Sequence, residues 1–278
     1  MSGTLYLVGT PIGNLGDISQ RCREVLEAAD FIAAEDTRVT LKLLNHLGLK
    51  KPLVSYYEHN RAASGRKILS RLLAGESCAL VTDAGMPAIS DPGEDLVALC
   101  AASDVPVTAV PGPCALIAAL TLSGLPTGRF TFEGFLSVNK KSRAAHLAQL
   151  ASEPRTMLFY EAPHKLVATL TDLAAQFGPQ RRIALCRELT KLHEEVIRTT
   201  LAEALARYET QEPRGEYVLV VEGCPATKEQ EVSLETALQA VEALCAQGLS
   251  RRDAVKQVSQ ETGMAKNLLY RAAQERDD

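Results

Sequence analysis

The residues best placed to do chemistry lie in loops that follow short apolar runs. The most informative is Thr82-Asp83-Ala84-Gly85-Met86-Pro87-Ala88-Ile89-Ser90-Asp91-Pro92-Gly93, directly after Cys78–Val81. Its glycines and prolines bring bare backbone close to whatever binds. Asp83 stands at the carboxyl end of an expected strand, where open parallel sheets hold their ligands. Gly9-Thr-Pro-Ile-Gly13-Asn-Leu-Gly16 follows Leu5–Val8; alone it meets only the needs of a strand-to-helix turn. A third loop, Val110-Pro111-Gly112-Pro113-Cys114-Ala115, enters a helix of small residues. Three such loops on one sheet edge predict a ligand held largely by backbone groups. The chain has no G-x-x-x-x-G-K-[ST], H-E-x-x-H or G-x-S-x-G, so P-loop, zincin and hydrolase chemistry loses its main support. Without a Walker lysine the ligand need not be a phosphate ester.

Holding these loops requires a scaffold, and 278 residues suffice for about two domains with substantial cores. With 46% hydrophobic and 23% charged residues the composition is globular, not disordered. A net charge of -4 excludes a general attraction to nucleic acid, and 5% aromatics with no Trp argue against a broad base-stacking platform. Seven scattered cysteines with no C-x-x-C read as buried reduced thiols of a cytoplasmic protein, with no metal site. The uncharged run 105–128 is broken by Pro106, Pro111, Pro113 and Pro126, so no membrane span is expected. No signal peptide is read at Met1–Leu5 either.

Short strands alternating with helix-period stretches predict a mostly parallel sheet from Leu5–Val8, Phe31–Ala34, Leu53–Tyr56, Cys78–Val81 and Val107–Val110. The first helix is expected to open near Asp17. A second set of strands is expected at Phe130–Phe135, Thr156–Tyr160, Arg182–Arg187, Glu195–Thr200 and Tyr217–Val221, with a helix from about His164 to Phe177. The reading is an α/β protein with domains at 1–115 and 116–224, a polar linker at 225–231, and an all-helical module at 232–278 with a helix-turn-helix outline.

Leu5-Tyr-Leu-Val-Gly-Thr-Pro-Ile-Gly-Asn-Leu-Gly-Asp17, Ala34-Glu-Asp-Thr-Arg38, Asp83 to Gly93 and Val110-Pro-Gly-Pro113 resemble the tetrapyrrole-methylase superfamily, the class III S-adenosylmethionine (SAM) methyltransferases. Tyr160-Glu-Ala-Pro-His-Lys165, Arg187-Glu-Leu-Thr-Lys191 and Gly215-Glu216 extend the likeness to its small-subunit rRNA methyltransferase I family, over nearly the whole chain. The resemblance implies SAM-dependent 2′-O-methylation of a decoding-centre cytidine in 16S rRNA. It also implies a homodimer, with SAM in a cleft between the two α/β domains. Carried over loop by loop, the cofactor residues are Ile12, Asp83, Gly85, Met86, Pro87, Ile89, Cys114, Ala115, Tyr160, Glu161, Glu188 and Glu216. Cys114 departs from the Ser or Thr the family often has there.

A ribose hydroxyl is a poor nucleophile until its proton is taken, so an acceptor must stand near it. Asp36, Glu58 and His59 follow strands on the ligand edge and are candidates, although Asp36-Thr37 also reads as a helix cap and His59 as a surface residue. Lys191 joins them if burial depresses its pKa. Arg38 and Asn60 are candidates for phosphate or base edges. RNA also needs phosphate contacts, for which Lys140, Lys141, Arg143, Lys165 and the tail's Arg251 and Arg252 are the candidates; the substrate is free rRNA or the assembled small subunit. Two alternatives stay open, a methylase of tetrapyrroles or other small molecules and a non-enzymatic SAM-sensing RNA-binding protein.

Overall fold

The central strands of the first sheet are runs of four apolar residues, and the inner pair, Phe31–Ala34 and Cys78–Val81, is buried on both faces. The computed structural model describes residues 2–225 and 233–274. The strands β1 (Leu5–Val8), β2 (Phe31–Ala34), β3 (Leu53–Ser55), β4 (Cys78–Val81) and β5 (Val107–Val110) run parallel in the order β3-β2-β4-β1-β5. Alternate side chains of one strand enter opposite cores. Phe31 and Ala33 join Leu5, Leu80 and Leu96 on one face, while Ile32 and Ala34 join Val8, Leu26 and Val81 on the other. This is why these runs read as continuously hydrophobic rather than alternating. The helices α1 (Gln20–Ala28), α2 (Thr37–Leu47), α3 (Arg61–Leu73) and α4 (Glu94–Ala101) make the crossovers, and α5 (Ala115–Ser123) leaves the last strand.

The second sheet is mixed. Its strands are β6 (Phe130–Phe135), β7 (Thr156–Glu161), β8 (Arg182–Arg187), β9 (Glu195–Thr200) and β10 (Tyr217–Val221), in the order β6-β7-β10-β8-β9. Only β6 and β7 pair in parallel. One face is covered by α6 (Lys140–Gln149), α7 (Leu166–Phe177) and α8 (Leu201–Thr210), through Leu147, Leu170, Leu173 and Leu201 packed on Met157, Phe159 and Leu219. The other face is covered by α5, whose Leu116, Ala119 and Leu120 pack on Leu158, Ala184, Cys186 and Val220.

By internal packing the chain divides into two compact units, Met1–Gly223 with both sheets and Cys224–Asp278. The second unit contains α9 (Leu234–Ala246), α10 (Arg251–Thr262) and α11 (Lys266–Gln274) around Ala237, Val241, Val255, Val258 and Leu269. Ser250 caps α10 by accepting from the Asp253 N–H, and Gly263 ends it with φ +70°.

The α/β architecture follows the sequence closely, with local departures. The first helix does not open at Asp17. Leu15–Asp17 is a 3-10 turn capped by Asn14, and α1 begins at Gln20 because the Ser19 hydroxyl accepts from Cys22 N–H at 3.0 Å. A similar turn, Pro163–Lys165, precedes α7 and delays its start from His164 to Leu166. Tyr56 lies beyond β3. Of the expected linker, residues 226–231 lie outside the described residues. Cys114, Cys224 and Cys245 are half-buried rather than buried. No described helix is long and apolar enough to cross a membrane.

Candidate functional site

The three Gly/Pro loops meet. Thr10 and Gly85 exchange backbone hydrogen bonds of 2.9 and 3.1 Å, and Gly9 N–H donates to Val110 at 3.2 Å. A Cβ on Gly112 would stand 2.8 Å from the Gly9 backbone, so glycine is required where these two loops touch. Gly85 has φ +82°, a conformation that disfavours any side chain. The cavity beside them has a volume of about 460 Å³, in the usual range for a small-ligand site. The first sheet contributes Ile12, Ala84–Met86, Ile89–Asp91, Cys114 and Ala115. The second contributes Phe135, Tyr160–His164, Cys186, Glu188, Leu189, Lys191 and Glu216–Val218.

The cavity therefore brings together Ile12, Gly85, Met86, Ile89, Cys114, Ala115, Tyr160, Glu161, Glu188 and Glu216 from the expected cofactor residues, with Lys191. Asp83 and Pro87 do not line it. Asp83 ties loops together instead: its carboxylate accepts from Asp36 N–H at 3.1 Å, and its own N–H donates to Glu35 at 3.4 Å. Backbone strain is concentrated on two sides of the cavity. Ser90 (φ +63°) lies in one wall with Ala88 (φ +68°) just behind it in the chain, and Glu188 (φ +50°) lies in the other with Thr190 (φ +66°) two residues on. Left-handed non-glycine residues cost on the order of 1–2 kcal/mol each, and such costs cluster where geometry is functional.

Part of the charge inside the cavity is gathered on Lys191. Lys191 Nζ donates to Glu188 Oε1 and Glu216 Oε2, each at 2.9 Å, and the Glu216 N–H donates to Glu188 at 3.0 Å. Burial alone would lower the Lys191 pKa, but the two carboxylates outweigh it and the pKa is raised. The condition for Lys191 as a base, a depressed pKa, is not met. Glu188 moves the other way: burial would raise it, but Lys191 and the Glu216 N–H hold it below the usual carboxylate range. Glu161 is 4% exposed; it accepts from Ala162 N–H at 2.8 Å and from the Thr169 hydroxyl. Burial pushes the Tyr160 phenol up to about 12.

Several expected site residues lie elsewhere. Asp36 caps α2 by accepting from Arg38 N–H at 2.8 Å and is clamped by the Arg38 guanidinium, which pulls its pKa to about 2. A carboxylate so held is a weak proton acceptor. Arg38 is itself committed to that pair. His59 is exposed, edge-on to Tyr57, and outside the cavity. The Asn60 side chain closes its own turn, accepting from Tyr57 N–H and donating to the Ser55 carbonyl. Arg143 is the clearest correction to the basic run: it is 9% exposed, donates to the Thr169 hydroxyl at 2.9 Å and pairs with Asp172 at 2.5 Å. One helical turn aims Arg143 inward while Lys140 and Lys141 stay exposed at the start of α6. Lys165 is half-buried, and Arg251 and Arg252 are exposed on α10 in the separate helical unit.

Sequence reasoning missed Asp91, Phe135, Cys186, Leu189 and Val218 as cavity residues. Asp91 stood within the glycine-rich loop, and its position beside the left-handed Ser90 was the detail needed to find it. Phe135 ends β6 just before the basic run; it is 58% exposed, with its ring centroid 5.6 Å from that of Tyr160. The others are apolar wall residues, Cys186 and Val218 on strands and Leu189 in the turn after β8, indistinguishable from core in sequence. Among the described residues no group of three or more His, Cys, Asp or Glu is placed to hold a metal.

Comparison with known proteins agrees with this geometry. Residues 4–205 match the family described as Tetrapyrrole (Corrin/Porphyrin) Methylases. The chain is 47% identical over 273 residues to the Ribosomal RNA small subunit methyltransferase I of Synechocystis sp., covering 98% of each chain. It is 46% identical over 270 residues to the protein of the same name from Xylella fastidiosa, covering 96% of this chain and 98% of that one. Among solved structures, the uroporphyrin-III C-methyltransferase of Thermus thermophilus complexed with S-adenyl homocysteine superposes with a TM-score of 0.55 at 21% identity, over 78% of this chain and 97% of that one. That likeness carries the fold.

Proposed function

Because the chain belongs to the ribosomal RNA small subunit methyltransferase I family of the tetrapyrrole methylases, we propose that it methylates small-subunit rRNA, at a ribose 2′-oxygen of a decoding-centre cytidine. The observation that carries this reading is the cavity assembled from the family's own loops. SAM is the methyl donor of this family, and the site fits it. Ile12, Ile89 and Ala115 give the cavity an apolar wall, and the bare backbone of Gly85, at φ +82°, leaves that wall without a side chain. Backbone groups of the 84–91 loop and the Glu188–Lys191–Glu216 cluster supply polar partners. When bound, SAM supplies an electrophilic methyl group on a sulfonium.

The chain's own residues must do the rest. Tyr160, Leu189 and Val218 exclude water from the cavity wall, which helps fix the reacting groups in line. At the mouth, Phe135 offers a ring on which a nucleobase can stack, and Lys140 and Lys141 follow within six residues to meet phosphates. The reading includes a homodimer acting in the cytoplasm on free rRNA or the assembled subunit. It is tested by calorimetric SAM binding followed by transfer of labelled methyl to small subunits from cells lacking the protein, to free rRNA and to a tetrapyrrole. Label on the RNA supports the reading. Label on the tetrapyrrole alone, or SAM binding with no transfer, replaces it with a small-molecule methylase or a SAM sensor.

A further inference from the structure

Four carboxylates line the cavity and three are committed. Glu161 is held by Ala162 and Thr169, and Glu188 and Glu216 share Lys191. Asp91, half-buried, makes no ion pair with a cation among the described residues. Its close titratable neighbours are the acids Glu35 and Asp83 from the loops after β2 and β4, and the Tyr160 phenol from β7. Across the cavity stand Glu161, His164 and the Glu188–Lys191–Glu216 cluster, whose ammonium is occupied. The Thr82 hydroxyl is near enough to favour the charged form, yet it is buried and completes no hydrogen bond. Asp91 follows the left-handed Ser90 directly, so a strained backbone aims it at the cavity.

We infer that Asp91 is the base that takes the proton of the acceptor ribose hydroxyl, an assignment that rests on the ribose-methyltransferase reading. As the proton moves to the Asp91 carboxylate, the oxygen's electron pair forms the O–C bond to the methyl group, and the C–S pair stays on sulfur. The protonated Asp91 then returns its proton to solvent. Burial, reinforced by Glu35 and Asp83, pushes the carboxyl up to about 6. It is thus mostly ionised at neutral pH yet more basic than an ordinary carboxylate, the compromise a general base requires. The sign follows: activity is lost as pH falls through about 6, where Asp91 takes up its proton.

The test uses the full-length protein and the variants Asp91→Asn and Asp91→Glu. It reads SAM affinity by calorimetry, single-turnover methyl transfer against pH, and the carboxyl titration of Asp91 by carbon NMR in the ligand-free protein. Expected are a wild-type rate falling about tenfold per pH unit below the titration point and an Asp91→Asn rate lower by about 10²–10⁴ with no acid limb. SAM affinity should stay within about twofold, and Asp91→Glu should recover part of the rate. An Asp91→Asn rate near wild type, SAM affinity falling in step with rate, or a carboxyl titrating at the ordinary value of about 4 would each overturn the assignment. If the wild type methylates ribose and Asp91→Asn does so equally, only this assignment fails. If the wild type itself puts no methyl on ribose, the functional reading fails and the assignment with it.

Discussion

Replacing Arg143 by Ala should destabilise the first unit while leaving RNA binding nearly unchanged. The guanidinium is almost fully buried, donating to Thr169 and pairing with Asp172. A hydrogen bond from a charged donor contributes about 1.5–3 kcal/mol. The Asp172 side chain is 48% exposed, so solvent screening limits the ion pair to at most about 1 kcal/mol. Thr169 keeps its bond to Glu161, so the substitution orphans no donor there. The sum is about 3 kcal/mol, which for a domain of this size lowers Tm by about 9 °C. Thermal melting followed by circular dichroism reads it, with Lys140→Ala/Lys141→Ala as the exposed control, expected to shift by less than about 2 °C. An Arg143→Ala protein that melts with the wild type but binds RNA with a shallower salt dependence would refute the inward assignment and return Arg143 to the RNA surface.

The same basic segment gives a second prediction. Lys140→Ala/Lys141→Ala should flatten the log-log salt slope of RNA binding by about 1.4–1.8, the loss of two phosphate contacts, with SAM affinity intact; an unchanged slope removes both lysines from the interface. Gly112→Ala should weaken SAM binding by at least tenfold, because its Cβ would meet Gly9 at 2.8 Å and part the loops; calorimetry showing wild-type affinity would mean the loop contact does not shape the site. Phe135→Ala should cost about 1–3 kcal/mol of RNA binding if a base stacks there, again with SAM affinity unchanged. Equal RNA affinity in the two proteins would leave the exposed ring without that role.

How much of this was legible in the sequence follows from the kind of signal each feature leaves. Phe31-Ile32-Ala33-Ala34 could be read as a strand because a parallel strand buried on both faces must be apolar throughout. The Gly85 and Gly112 loops were legible because a left-handed turn requires glycine at Gly85 and close backbone approach requires it at Gly112. The start of α1 was not, since Asp17 and Ser19 are both good caps and only the Asn14 turn decides between them. Side-chain commitments were invisible for a similar reason. Nothing in Glu35-Asp36-Thr37-Arg38 says that Arg38 folds back on Asp36, and nothing in Lys140-Lys141-Ser142-Arg143 says which cation turns inward. Asp91 leaves no such signal because its character comes from burial beside Glu35 and Asp83, 56 and 8 residues away in sequence.

Ribose methylation of small-subunit rRNA, as proposed, is read most directly by nucleoside mass spectrometry of that RNA after reaction with SAM and the purified protein. RNA from cells lacking the protein serves as substrate, and nuclease mapping locates the product. The expected product is one new 2′-O-methylcytidine in the decoding region, formed by the wild type and lost in Asp91→Asn. A methyl group on a base rather than a ribose, or none on RNA while SAM binds, would contradict it.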